Sequence, residues 1–179
     1  MGIIYYIIKI ITWPGTLLKA FMEHITCRVY DIPVEYAKYM QKNELCGHIE
    51  HMFAPHKGSF GICFLPHIVN LICGFIFVLS SSINIVYLGK SNLFSWIFIY
   101  LGISCLTNCF PLLEDAIHMW DNLYGSESKA KMISKILLAP FAAVMYIGAR
   151  LEKYGLTLIT SIAFAYALPY AFAFVLQML

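Results

Sequence analysis

The sequence predicts an all-α integral membrane protein, a compact bundle of about five transmembrane or membrane-embedded helices. Composition is the first reason. Apolar residues fill 60% of the 179 positions and charged residues 12%, where a soluble globular chain holds about 45–50% and about 25%. Too little charge is left to cover a water-facing surface. The second reason is arrangement: the apolar residues fall into runs close to the ~20 residues that a spanning helix needs, with short polar turns between them. The length suits one membrane domain over residues 1–179 and leaves no room for a separate soluble one.

Residues 1–30 read as a broken first helix. Trp13-Pro14-Gly15 interrupts the apolar run, and proline opens a helix well but disturbs its interior. A short apolar arm therefore precedes a helix from Pro14 to about Tyr30. That helix carries Lys19, Glu23, His24 and Arg28, too many polar groups to face lipid. The start, MGIIYYIIKIITWPG, lacks a basic region and a cleavage site and is expected to stay in the mature protein.

Residues 31–58 form the longest polar stretch, with Pro33, Pro55 and Gly58, and predict a structured loop with one short helix or hairpin. Membrane spans follow over 60–88, 93–112, 133–149 and 156–178. Gly89-Lys90-Ser91-Asn92 makes a tight turn between the first two, and Pro169 is expected to kink the last helix. With five crossings, Arg28, Lys38, Lys42, Lys57, Lys129, Lys131 and Lys135 fall on one side; Lys9, Lys90, Arg150 and Lys153 fall on or near the other. Basic residues collect on the cytoplasmic side, which puts the 31–58 loop and the C-terminus inside. A multi-pass protein of a prokaryotic cytoplasmic membrane is the expected location.

The net charge of +2, with no long basic run, argues against nucleic acid as a partner. The bilayer is the expected partner, with other membrane proteins or self-association through Gly148-Ala149 and the alanine-rich last segment as further candidates. Six cysteines show no C-x-x-C spacing and are expected to be mostly free, packed thiols.

Ionisable groups in lipid are expensive, so they are either internally paired or functional. Lys19 and Glu23 are four apart and share a helical face, which suggests an ion pair; Glu23 and His24 are adjacent and diverge by about a hundred degrees. His48, Glu50 and His51 bring imidazole and carboxylate together, a donor set that suits zinc, although solvated loop histidines give the same pattern. Asn108, Pro111, Glu114, Asp115, His118 and Asp121 form a third group, in which Asn108 and Pro111 could open a helix toward a cavity. The expected buried polar cluster is Lys19, Glu23, His24, Asp115 and His118. Candidate metal ligands are His24, His48, His51 and Asp115, and candidate bases are Glu23 and Glu50; no catalytic residue follows from spacing alone. No nucleophile elbow and no phosphate-cradling glycine loop is present.

Three short stretches carry a resemblance: Trp13-Pro14-Gly15-Thr16-Leu17-Leu18 with Cys27, Gly47-His48-Ile49-Glu50-His51, and Asn108-Cys109-Phe110-Pro111-Leu112-Leu113-Glu114-Asp115-Ala116 with Trp120. In order and spacing, over about residues 10–121, the chain resembles a group of small bacterial and archaeal membrane proteins with a metalloprotease-type fold, itself similar to the site-2 protease family of intramembrane zinc peptidases. The resemblance implies a zinc site built on H-E-x-x-H and a later aspartate. That motif sets two ligands and a general base on one helix face. Here Lys19 stands for the first His, Ala20 for the Glu and Glu23 for the second His, while Asp115 keeps the third ligand position. The expectation is a scaffold without peptidase chemistry and without a cofactor, a pseudoprotease whose ammonium at Lys19 pairs with Glu23 and Asp115. Two alternatives stay open: a divergent zinc hydrolase using His24 or His51 with Asp115, and a small channel or transporter lined by these groups.

Overall fold

The computed structural model describes residues 2–42, 45–52, 59–90, 92–126, 128 and 131–178. It is 77% helical, with seven α-helices among the described residues. They are α1 (Gly2–Ile11), α2 (Trp13–Val29), α3 (Ser59–Ser82), α4 (Leu93–Thr107), α5 (Leu113–Tyr124), α6 (Met132–Lys153) and α7 (Leu156–Met178). The polar stretch 31–58 supplies the one departure from an all-α chain. Strands β1 (Val34–Tyr36) and β2 (Glu50–His51) pair antiparallel, the hairpin among the forms expected there. His56 and Lys57 lie outside the described residues.

Three helices are long and apolar enough to cross a membrane: α3 with its continuation to Tyr87, α6 and α7; α1 and α2 together meet the same test but are bent by 96°. The bend falls where Pro14 was expected to break the segment. Beyond Ser82 the α3 backbone widens into a π turn, Ile83–Tyr87.

α3 is the axis against which the rest is laid. α2 runs down its first half, with Tyr30 against Gly61 and Cys27 packed with Ile62. α5 does the same, Asn122 meeting Ser59. α4 descends along the second half, where Phe98 stacks on Phe77 and Gly74 and Gly102 touch so closely that a Cβ on either would collide with its neighbour. α6 and α7 both ascend. Phe141 of α6 meets Phe64, whereas Phe164 and Tyr170 of α7 meet Phe75 and Tyr87. Two consecutive helices thus run in one direction, stacked beside successive halves of α3. The step between them is the turn at Tyr154-Gly155, where Gly155 holds φ +74, a conformation glycine adopts without Cβ strain.

This stacking differs from the alternating path that five crossings imply. A hairpin between the last two helices would return the C-terminus to the side of the 31–58 loop. Because α7 continues upward, its later residues instead lie beside Tyr87, at the other end of α3 from the β-hairpin and α5. The expected span 93–112 also differs: helix ends at Thr107, and residues 108–112 are non-helical. Pro169 lies within α7 without ending it.

Packing explains other sequence features. All six cysteines are free, and all but Cys73 are buried. A Cβ on Gly148 would sit 2.0 Å from the Phe110 ring, so this small residue serves a contact inside the chain.

Candidate functional site

Three breaks in the helical path converge opposite the middle of α3: Thr12 between α1 and α2, residues 108–112 between α4 and α5, and Tyr154-Gly155 between α6 and α7. Breaking a helix frees backbone N–H and C=O groups, and inside a membrane protein these must find internal partners. Buried polar side chains provide them, of which the sequence singled out only Lys19. Phe110 N–H donates to Glu152 Oε2 at 3.0 Å, and Lys19 Nζ donates to Phe110 O. Asn70 Nδ2 donates to Asn108 O at 2.9 Å, and the His67 ring binds Cys109 O at 3.0 Å through Nδ1. Ser104 Oγ donates to Thr12 O at 2.7 Å and accepts from Gly15 N–H at 2.8 Å.

At the centre, Lys9 and Lys19 share the carboxylate of Glu152. Their Nζ atoms lie 2.5 and 2.8 Å from Oε1, and Lys9 also donates to Asn108 Oδ1 at 2.8 Å. Asn108 completes its own set with donations to Thr12 Oγ1 and Ser104 O. All three charged groups are buried. The Lys19–Glu23 pair expected from helical spacing does not form; Lys19 turns to Glu152 because that carboxylate sits at the break beside Phe110, where one ammonium can satisfy both.

Glu23 is engaged elsewhere. Its Oε1 accepts from His48 Nδ1 at 2.9 Å and its Oε2 from Ile49 N–H at 3.0 Å. Residues 45–49 are thereby drawn across the polar face of α2 as a strap. Cys46, His48 and Ile49 are buried, Tyr5 OH reaches Cys46 O, and Gly47, at φ +83, rests on Thr16. Donating Nδ1–H to a carboxylate leaves His48 Nε2 as an acceptor, and that atom is buried without a hydrogen-bond partner. Burial together with the positive charges of Lys19 and Lys9 pushes the His48 imidazole well below its ordinary pKa, so the ring is neutral.

A third pair lies nearby. His51 Nε2 stands 3.6 Å from Asp115 Oδ1, with the aspartate 12% exposed. Burial raises the Asp115 carboxyl to about 6; His51, Lys19 and His118 oppose the rise and Glu23 adds to it. The carboxylate therefore senses His51, Glu23, Lys19 and His118 together, although Lys19 does not pair with it as expected. Folding favours the protonated form, so this group weakens the fold progressively from about pH 4 to about pH 6, and the full penalty stands above that. The shift corresponds to a penalty on the order of 2–3 kcal/mol. Asp115→Asn is expected to raise the thermal midpoint at pH 8 and to lose that advantage by pH 4, read by thermal scans of the detergent-solubilised protein at both values.

The remaining candidates are not gathered into this centre. His24 is half-buried and its Nδ1 faces Tyr39 OH at 3.1 Å. Glu50 precedes His51 on β2 and so points to the opposite face of that strand. His118 is half-buried on α5. Among the described residues, no three His, Cys, Asp or Glu side chains gather closely enough to hold a metal ion.

Sequence reasoning singled out Lys19, Glu23 and Asp115 but missed Lys9 and Glu152, the other two members of the central triad. A signal was present for Lys9, the one charged residue before Lys19: a lone charge in a long apolar context is the kind that must find an internal partner. Glu152 stands between Arg150 and Lys153 and carries no such signal. Comparison with known proteins adds no kinship: no family model, no curated protein and no solved structure matches the chain.

Proposed function

We propose that the chain is a non-catalytic membrane scaffold on a metalloprotease-like frame, a pseudoprotease whose former metal pocket is filled by its own ion pairs. One observation carries the reading. At the three positions that the resemblance assigns to H-E-x-x-H chemistry, Lys19, Ala20 and Glu23 are all buried, and both charged members already have partners. Lys19 is held by Glu152 and Phe110 O, and Glu23 by His48 and Ile49. Two ammonium and two carboxylate groups balance within the core. This donor set does not fit zinc, because an ammonium cannot ligate and would repel the ion, and Ala20 offers no base.

The basic residues of the described 28–42 and 131–135 segments lie at the α5 end of the bundle, which supports a cytoplasmic position for that end. On this reading the C-terminus emerges on the opposite side. The protein is a multi-pass resident of a prokaryotic cytoplasmic membrane, and its surroundings are lipid and other membrane proteins.

Elemental analysis of the purified protein tests the proposal: zinc should be far below stoichiometric and unaffected by Asp115→Ala. Stoichiometric zinc lost in that variant, with cleavage of a membrane-segment substrate, would instead favour a divergent hydrolase using His51 and Asp115. A second reading draws on the convergence of broken helices at buried charges, a pattern shared with secondary transporters. Ion flux in proteoliposomes that disappears in Glu152→Gln would support it over the scaffold.

A further inference from the structure

The second half of α3 meets α4 at a seam where the backbones touch. A Cβ on Gly74 would lie 2.7 Å from Leu106 Cγ and 3.1 Å from Gly102 O. The helices run antiparallel, so this double contact fixes the register: Gly74 stands level with the middle of the turn 102–106, at Ser104. One residue back on α3 and one forward on α4, Cys73 and Cys105 stand at the same level. They also share a side. Cys73 lies eleven residues, close to three turns, beyond Ile62, which packs with Cys27 of α2. A Cβ on Gly15 of α2 would lie 2.8 Å from Cys105 N. Both cysteines thus border the flank of the seam that α2 approaches. The thiols feel each other: burial aside, Cys73 is the one group that perturbs the Cys105 thiol. A disulfide needs Cα atoms about 4–7 Å apart, a separation that helices reach where glycines let them touch.

The surroundings restrict what can oxidise such a pair. Cys105 is 4% exposed. Cys73 is half-buried, next to the exposed Ile72 on the outer surface of α3. It is the middle residue of Ser59–Tyr87, the longest apolar helix able to cross a membrane, and so lies about 21 Å along the helix from either end. No Asp, Glu, Lys, Arg or His occurs in 68–89 or 91–113. A water-borne oxidant is poorly soluble at this depth, whereas a lipid-dissolved one can meet Cys73 from the bilayer. A buried thiol without a neighbouring cation is a poor thiolate, so its electrons leave together with its hydrogens. Quinones accept both.

We propose that Cys73 and Cys105 form a redox-active dithiol, which a membrane-dissolved quinone closes to a disulfide. Two S–H bonds break and one S–S bond forms. The two electrons and two protons pass to the quinone oxygens, and the quinone leaves as quinol. The bond ties α4 to the middle of α3, and a thiol reductant reverses it. This assignment does not depend on the scaffold reading.

The test uses the full chain, reduced and reconstituted into phosphatidylcholine vesicles, then exposed to decylubiquinone or, separately, to glutathione disulfide. After denaturation and alkylation with N-ethylmaleimide, intact mass counts the remaining thiols and peptide mapping locates the bond. The quinone should leave four of the six cysteines alkylated, with Cys73 linked to Cys105. Because exchange rates depend on access, it should act about tenfold faster than glutathione disulfide at equal concentration. Dithiothreitol should restore all six thiols, and the linked protein should melt above the reduced one. Cys73→Ser and Cys105→Ser should each prevent the bond and leave the thermal midpoint of the reduced protein near that of the wild type. Six thiols kept under both oxidants, or a bond between any other pair, overturns the dithiol. Equal rates with the two oxidants, or a stable quinone adduct on Cys73 in place of the bond, overturns the quinone as oxidant. Should a serine variant fail to fold, the linked peptide mapped in the wild type decides alone.

Discussion

Glu152→Gln should cost on the order of 3–5 kcal/mol, the range for removing one member of a buried charge network. The carboxylate serves three donors at once: Lys9, Lys19 and the Phe110 N–H. An amide presents one oxygen and no charge, so both ammonium groups would be left buried without their counter-ion. The thermal midpoint in detergent should fall sharply or folded protein should not be recovered. Replacing all three charged groups, Lys9→Met with Lys19→Met and Glu152→Leu, should regain part of the loss, because apolar residues of similar volume often substitute for a complete buried ion network at little cost. It should not regain all of it. Phe110 N–H and O would then be orphaned, at about 1–3 kcal/mol each in a buried setting. A single Glu152→Gln variant as stable as the wild type would remove the triad from any structural role.

This contrast bears on how the breaks are held. A helix needs no side chain to satisfy its interior backbone, whereas the breaks at Thr12 and at residues 108–112 do. These two lie side by side so that one set of polar residues can serve them together, and the α6–α7 step, whose N–H groups bond backbone carbonyls, contributes Glu152 to that set. Asn108 illustrates the economy. Its carbonyl side receives Lys9, its amide side reaches Thr12 and Ser104, and its own backbone oxygen takes Asn70. The polar centre is thus a structural requirement of the broken path.

The sequence revealed this centre unevenly, for reasons that can be traced to particular residues. The break at Trp13-Pro14-Gly15 was legible because proline and glycine act locally, and Asn108 with Pro111 announced the second break in the same way. The third was not. Tyr154-Gly155 between two apolar runs reads equally as a hairpin or as a step, and only packing against α3 distinguishes them. Lys19 was recognised as internally paired but given the wrong partner. Helical spacing favours an acid four residues away, while the acid that binds it is 133 residues distant. Local periodicity contains no information about that distance. The hairpin in 31–58 was among the expected forms, yet its role in covering α2 depends on Glu23, which local reasoning had assigned to Lys19.

Glu23→Ala should release that cover. The side chain is the latch of the 45–49 strap, since its two oxygens hold the His48 ring and the Ile49 N–H. Losing both charge-assisted bonds should cost on the order of 3 kcal/mol, and the effect should concentrate in the strap because the helices on either side keep their own contacts. Cys46 provides the readout. Its thiol is buried under the strap in the wild type and held above its ordinary pKa by that burial, so a maleimide should react slowly. In Glu23→Ala, a shift of this size should raise the open population, and with it Cys46 labelling, by about a hundredfold. Cys27, buried against Ile32 and Ile62, should stay protected and so serves as an internal control for global unfolding. Glu23→Gln, which keeps an acceptor for Ile49 but no charge for His48, should fall between. If Cys46 reacts no faster in Glu23→Ala while Cys27 stays closed, the strap is held by Gly47 on Thr16 and by Tyr5, and the carboxylate is no latch. If it does react faster, the face of α2 bearing Lys19, Ala20 and Glu23 becomes a surface that the protein can uncover, and the scaffold reading gains a defined place for a partner segment to enter.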